Sequence, residues 1–100
     1  MNVEITSRHY DASERVRTYV IEELKKLDKF DHFITTCKVI LEKSKEGEMA
    51  EITLHVSGKD LVCSESSYDI IKSIDVAVDK MERQLKRFKE KRYAHKCTNH

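Results

Sequence analysis

Lys80, Arg83, Lys86, Arg87 and Lys91 stand three and four residues apart near the end of this 100-residue chain. Cations at that spacing share one side of a helix. The chemistry open to them is the neutralisation of a polyanion. An arginine forks across two phosphate oxygens, while a lysine acts as a mobile point charge. The surrounding composition sharpens the point. Residues 80–100 hold 8 basic and 2 acidic side chains, a net of +6. Residues 1–79 hold 11 basic and 16 acidic ones, a net of −5. The overall charge of +1 therefore conceals a polarised molecule whose positive end is its last fifth.

On a helical wheel at about 100° per residue, Ile71, Ile74, Val78, Met81, Leu85 and Phe88 form one apolar seam. Lys80, Arg83, Lys86, Arg87 and Lys91 fall opposite it, as a ridge about 16 Å long. Lys89 and Arg92 lie nearer the seam, where their stems can snorkel. An ordinary solvated helix face mixes charge signs, because Glu–Lys pairs four apart stabilise it. This stretch crowds like charges instead, at a cost, and two or three cations would satisfy the helix dipole. The pattern points to RNA or another polyanion. On the first helix Arg15, Lys26 and Lys29 cluster away from Val20 and Leu24, with Arg17 elsewhere on the polar surface and Glu22, Glu23 and Asp28 diluting the patch. If the two helices lie side by side, both sets border one groove. Recognition of this kind reads backbone and shape more than bases.

Other reactive residues carry less. His95, Cys97 and His100 form a single His-x-Cys-x-x-His cluster, whereas structural zinc sites use two separated ligand pairs. Cys37 and Cys63 fall on strand faces expected to point inward, as small apolar residues. His9, His32 and His55 have no carboxylate and nucleophile placed to make a triad. Asp75 and Asp79, one turn apart, are expected to offset Lys72 and Arg83 or to touch the first helix. No phosphate-binding glycine loop occurs, and Gly47 and Gly58 each suit a turn. The reading is a non-enzyme without metal or cofactor. Three widely spaced cysteines, no signal-like N-terminus and no long apolar run imply a cytoplasmic chain off the membrane.

The elements that position the ridge follow from periodicity. Residues 2–7 alternate, with Val3 and Ile5 on one face. Asp11 or Ser13 caps a helix that carries Val16, Tyr19, Val20, Leu24 and Leu27 and ends near Lys29. Residues 36–43 form a second strand. Ala50, Ile52, Leu54 and Val56 alternate in a third, and residues 59–65, with Leu61 and Cys63 on one face, make a fourth. A long helix from about Ser67 to Tyr93 completes residues 1–93 as a single domain, before a polar, flexible tail at 94–100. The order is β-α-β-β-β-α, an α+β fold. A right-handed crossover makes the first two strands parallel, and short turns make the last three an antiparallel meander. Both helices then cover one face of a four-stranded mixed sheet. Glu4, Thr6, Lys38, Glu42, Glu51, Thr53 and His55 occupy the other face, which lacks the paired aromatics of an RNA-stacking sheet.

The segment Ala-Glu-Ile-Thr-Leu-His-Val-Ser-Gly at 50–58 and the helical residues Ile74-Asp75 and Val78-Asp79-Lys80-Met81-Glu82-Arg83-Gln84-Leu85 carry a family resemblance. Asn2-Val3-Glu4-Ile5-Thr6, Arg17, Tyr19-Val20 and Lys26-Leu27 extend it over nearly the whole chain. The sequence resembles the bacterial ribosome hibernation promoting factor and ribosome-associated inhibitor family. The resemblance implies a fold related in shape to double-stranded RNA-binding domains. It also implies a translation inhibitor of stress and stationary phase that binds ribosomal RNA of the small ribosomal subunit with both helices, where mRNA and tRNA would lie. Arg17, Lys26, Lys80, Arg83, Arg87 and Lys91 occupy the matching basic positions, followed by Lys86, Lys89 and Gln84. Long members add a domain that pairs ribosomes; this sequence ends at His100 and resembles the short forms. The partners expected are the small subunit and its RNA, with no DNA and no membrane, and a monomer when free. The competing reading is a protein-interaction module that docks an acidic partner on the basic helix.

Overall fold

The computed structural model describes the backbone of residues 1–98 and the side chains of residues 1–91. Alternation builds the sheet. Strand β1 (Asn2–Arg8) pairs in parallel with β2 (Ile34–Ser44), which pairs antiparallel with β3 (Gly47–Val56), and β3 with β4 (Lys59–Ser67). The strand order is β1-β2-β3-β4, as the expected crossover and meander require. Register aligns the inward residues in rows: Val3, Cys37, Leu54 and Leu61, then Ile5, Val39, Ile52 and Cys63. The opposite face carries Glu4, Lys38, Thr53 and Val62 in one row and Thr6, Ile40, Glu51 and Ser64 in the next. Two apolar side chains thus interrupt a face that the pattern predicts to be polar. The β3–β4 connection is the two-residue loop Ser57-Gly58, with φ of 46° and 79°. Positive φ at both positions makes a turn whose twist matches the strands, and glycine takes that conformation without strain.

Helix α1 spans Glu14–Leu24. Ser13 caps it, its hydroxyl accepting from the Val16 N–H at 3.2 Å, so the serine rather than Asp11 fills this role. The helix does not run to Lys29. From Lys25 to Phe33 the chain tightens into a 3-10 helix. Leu24, Leu27, Phe30 and Phe33 step by three, and three residues per turn aligns all four toward the core. Helix α2 spans Ile70–Thr98. It starts later than Ser67 because Ser67 serves the junction before it, its hydroxyl donating to the Asp69 carbonyl at 2.7 Å. Glu48 accepts from the Ile70 N–H at 2.8 Å and Asp69 from the Ile71 N–H at 3.0 Å. Those carboxylates satisfy the free donors of the first turn. The helix also continues beyond the expected end at Tyr93. Residues 94–98 of the expected tail are helical, and residues 99–100 lie outside the described residues.

Both helices pack on one face of the sheet around a single core. Val20 and Leu24 of α1, Leu27 and Phe30 of the 3-10 turn, and Ile74, Val78, Met81 and Leu85 of α2 are buried there. Each such side chain removes apolar area from water worth about 1.5–3 kcal/mol. Cys37 and Cys63 are buried free thiols, and burial pushes the Cys37 thiol up to about 12. Ser73 is a buried polar residue of the core, its hydroxyl donating to the Glu48 carbonyl at 2.6 Å. At the β1 edge the cover is thinner, and Val3 stays 40% exposed. No helix among the described residues is long and apolar enough to cross a membrane.

Candidate nucleic-acid interface

Three cross-links set the relation of the helices. The Tyr19 hydroxyl donates to Asp75, Lys26 lies 3.9 Å from Asp79, and Lys29 lies 2.7 Å from Glu82. Rising numbers along α1 and the 3-10 helix that continues it meet rising numbers on α2, so the helices run parallel. The seam buries one side of α2 and leaves two flanks, one toward α1 and one toward the edge strand β4.

The β4 flank is a groove of about 390 Å³ lined by Lys59, Lys80, Arg83, Gln84, Arg87, Phe88 and Lys91. Among the described residues no carboxylate lines it. Among the described residues, Lys59, Arg83, Arg87 and Lys91 form no ion pair, and all four are exposed. Lys80 is held differently, 2.9 Å from Glu65 of β4. Gln84 fastens the helix to the strand. Its Nε2 donates to the Val62 carbonyl at 3.3 Å and to Cys63 Sγ at 2.9 Å. That sulfur contact favours the Cys63 thiolate, but burial is the larger effect and the thiol is pushed up.

The α1 flank has another character. Glu23, Asp75, Asp79 and Glu82 stand along it. Lys26 bridges Glu23 at 3.0 Å, and that hydrogen bond holds its ammonium above the usual lysine range. Lys29 draws the Glu82 carboxyl below its ordinary value, and Lys86 adds to the field there. Farther along, Lys29, Phe30, Lys86, Lys89 and Glu90 line a second recess, of about 540 Å³. The Asp75 bond pushes the Tyr19 phenol up to about 12.

The structure therefore sorts the expected residues. Lys80, Arg83, Gln84, Arg87 and Lys91 share the β4 groove, while Lys86 and Lys89 turn to the α1 side. Lys26 sits between the helices among acids. Arg17 is remote from both, at the start of α1, where its Nε donates to the Ala12 carbonyl at 3.4 Å. From the level of Asp75 to Arg87 the helix rises about 18 Å. Asp75 touches α1 through Tyr19, and Asp79 meets the 3-10 helix that continues it through Lys26, one of the two roles expected of the pair. Lys59 is the residue that the charge pattern of the helix does not reveal. Its signal is strand parity, because it alternates in phase with Leu61 and Cys63 and so faces α2. The His95, Cys97 and His100 cluster lies outside the described side chains, and among the described residues no group of three metal-ligating side chains assembles.

The fold and site define a class, a compact α+β domain whose second helix displays a cationic face. Known proteins make the class specific. The family model described as "Sigma 54 modulation protein / S30EA ribosomal protein" matches residues 3–93. The ribosome hibernation promoting factor of Azotobacter vinelandii is 36% identical over 91 residues, covering 91% of this chain and 85% of that protein. Its Escherichia coli K12 counterpart is 30% identical over 95 residues, covering 95% of this chain and all of that protein. Among solved structures, the N-terminal domain of Thermus thermophilus Protein Y superposes with a TM-score of 0.78 at 31% identity, over 88% of this chain and 99% of that one. A ribosomal subunit interface protein from Coxiella burnetii shares the fold, with a TM-score of 0.84 at 21% identity over 90% of this chain and 99% of that one. The chain belongs to the S30EA ribosomal protein family, whose curated relatives here are ribosome hibernation promoting factors.

Proposed function

We propose that the chain binds the small ribosomal subunit through its ribosomal RNA and silences translation by occupying the channel of mRNA and tRNA. Family membership supports ribosome-associated regulation of translation in stress and stationary phase. The observation that carries the finer reading is the acid-free cationic groove of α2. Arg83, Arg87 and Lys91 keep like charges four residues apart, which costs a helix a few tenths of a kcal/mol per pair. Unopposed cations of that kind release counterions when they meet phosphates, and this release drives binding. The mechanism is occlusion and needs no bond to be made or broken. A rigid sheet backs the helix, so the charges arrive pre-positioned and little side-chain order beyond theirs must be lost on docking.

Arg83, Arg87, Lys80 and Lys91 are the leading contacts, with Lys86, Lys89 and Gln84 beside them. Arg17 and Lys26 contribute where the RNA passes α1, Lys26 by exchanging its acid partners for phosphate. Sedimentation with purified small subunits tests the reading. The protein should pellet with them at low salt and be displaced as salt rises, and it should compete with tRNA and mRNA. Failure to pellet at low salt would refute it. Capture of an acidic protein that survives nuclease treatment would assign the helix to the competing role.

A further inference from the structure

The β4 groove has two walls, and only one of them is helical. Lys59 stands at the base of the Ser57-Gly58 turn, directly paired with Val56, so a tight hairpin fixes its backbone. Across the groove Arg83, Arg87 and Lys91 follow one another at four-residue spacing. Gln84 ties the walls together through the Val62 carbonyl and Cys63. Its bonds set the groove's width by side-chain geometry rather than by charge. The nearest carboxylate on this flank, Glu65, is already engaged by Lys80. The other acid of β4, Asp60, pairs with no cation of the groove among the described residues. It sits 2.8 Å from His55, its row partner on the opposite face of the sheet.

We infer that Lys59 is an RNA-binding residue, and that it and the arginines of α2 grip one phosphodiester strand from opposite sides of the β4 groove. The inference rests on the proposed RNA-binding function and extends it from the helix to the hairpin. A single helix face lays cations along a backbone; a second wall fixes the strand laterally as well. The groove therefore reads the path of a single backbone strand, and its ligand is the ribose-phosphate chain rather than any base edge. The hairpin adds this contact with little ordering, because its turn is already rigid.

The test uses the full chain, purified small ribosomal subunits and protein-free small-subunit RNA, with binding measured across a salt series. Lys59→Ala should lower the log–log salt slope by about one unit and weaken binding roughly five- to tenfold at about 0.15 M salt. Lys45→Ala, in the β2–β3 turn at the far end of β3, should change neither. An unchanged thermal melt of Lys59→Ala will show that the fold is intact. Wild-type binding with an unaltered Lys59→Ala slope would overturn the second wall while leaving the helix in place. A Lys59 effect on intact subunits that vanishes on protein-free RNA would overturn it too, by assigning the lysine to a ribosomal protein. Loss of wild-type binding to both probes would remove the RNA-binding function itself.

Discussion

The two flanks of α2 carry similar numbers of cations and treat them in opposite ways. Toward α1, Lys26 and Lys29 meet Glu23, Asp79 and Glu82, and the charge of those two is largely spent inside the molecule. Toward β4, Lys80 alone of the groove's cations meets an acid, Glu65, while Lys59, Arg83, Arg87 and Lys91 form no ion pair among the described residues. The first arrangement joins two helices; the second leaves a field in solvent that mobile counterions screen and a polyanion can take over. A cation held by acids within the fold is thereby set apart from one left open to a partner. Counting lysines on a wheel does not separate the two, whereas asking what each faces does. Surface ion pairs are worth little each, about 0–1 kcal/mol. Their larger effect here is on what remains available to a polyanion.

Substitutions probe the two flanks separately and together. The largest effect is expected from Leu85→Ala. Leu85 is fully buried under both flanks, so its truncation should cost about 2–5 kcal/mol in denaturant unfolding and weaken both sides together. Tyr19→Phe comes next, and acts on the α1 side alone. The phenol donates to Asp75 and its pKa is raised from 10.0 to about 12. A raised acid pKa means the fold favours the protonated form. The bond's stabilisation is therefore complete below pH 10 and is lost as pH rises through about 12. Tyr19→Phe should cost about 1 kcal/mol at neutral pH, and less as alkaline unfolding curves of the two proteins converge. Glu82→Gln should be the smallest and the most telling. It frees Lys29, so stability should fall by less than about 1 kcal/mol while affinity for small subunits rises. Because Lys29 depresses the Glu82 carboxyl, the wild type should also lose the pair's stabilisation as pH falls through that lowered value, and the variant should not.

Much of the fold was readable from periodicity. Alternation located all four strands and predicted the inward thiols, and the spacing of Ile71 to Phe88 located the seam of α2. The end of α1 was harder to read. Leu24 and Leu27 fit an α-helical stripe, and only the continued step of three to Phe30 and Phe33 reveals the tighter turn. At the site, outward exposure of Arg83, Arg87 and Lys91 followed from the wheel, since local geometry decides it. The neutralisation of Lys26 and Lys29 did not. Glu23 is a local partner of Lys26, but Asp79 and Glu82 lie on another helix, and which residues meet there depends on the parallel packing of the pair. Lys59 was hidden for the same reason. Strand parity turns it toward the helices, yet only the position of β4 at the sheet edge opens a groove beside it.

In the proposed function the β4 flank, and not the α1 flank, carries most of the binding charge. Salt-dependent binding to small subunits by two double variants tests it most directly. Arg83→Ala with Arg87→Ala should lower the log–log slope by about two units, while Lys26→Ala with Lys29→Ala should lower it by less than about one. Equal losses from the two pairs, or a greater loss from the lysines, would contradict the account.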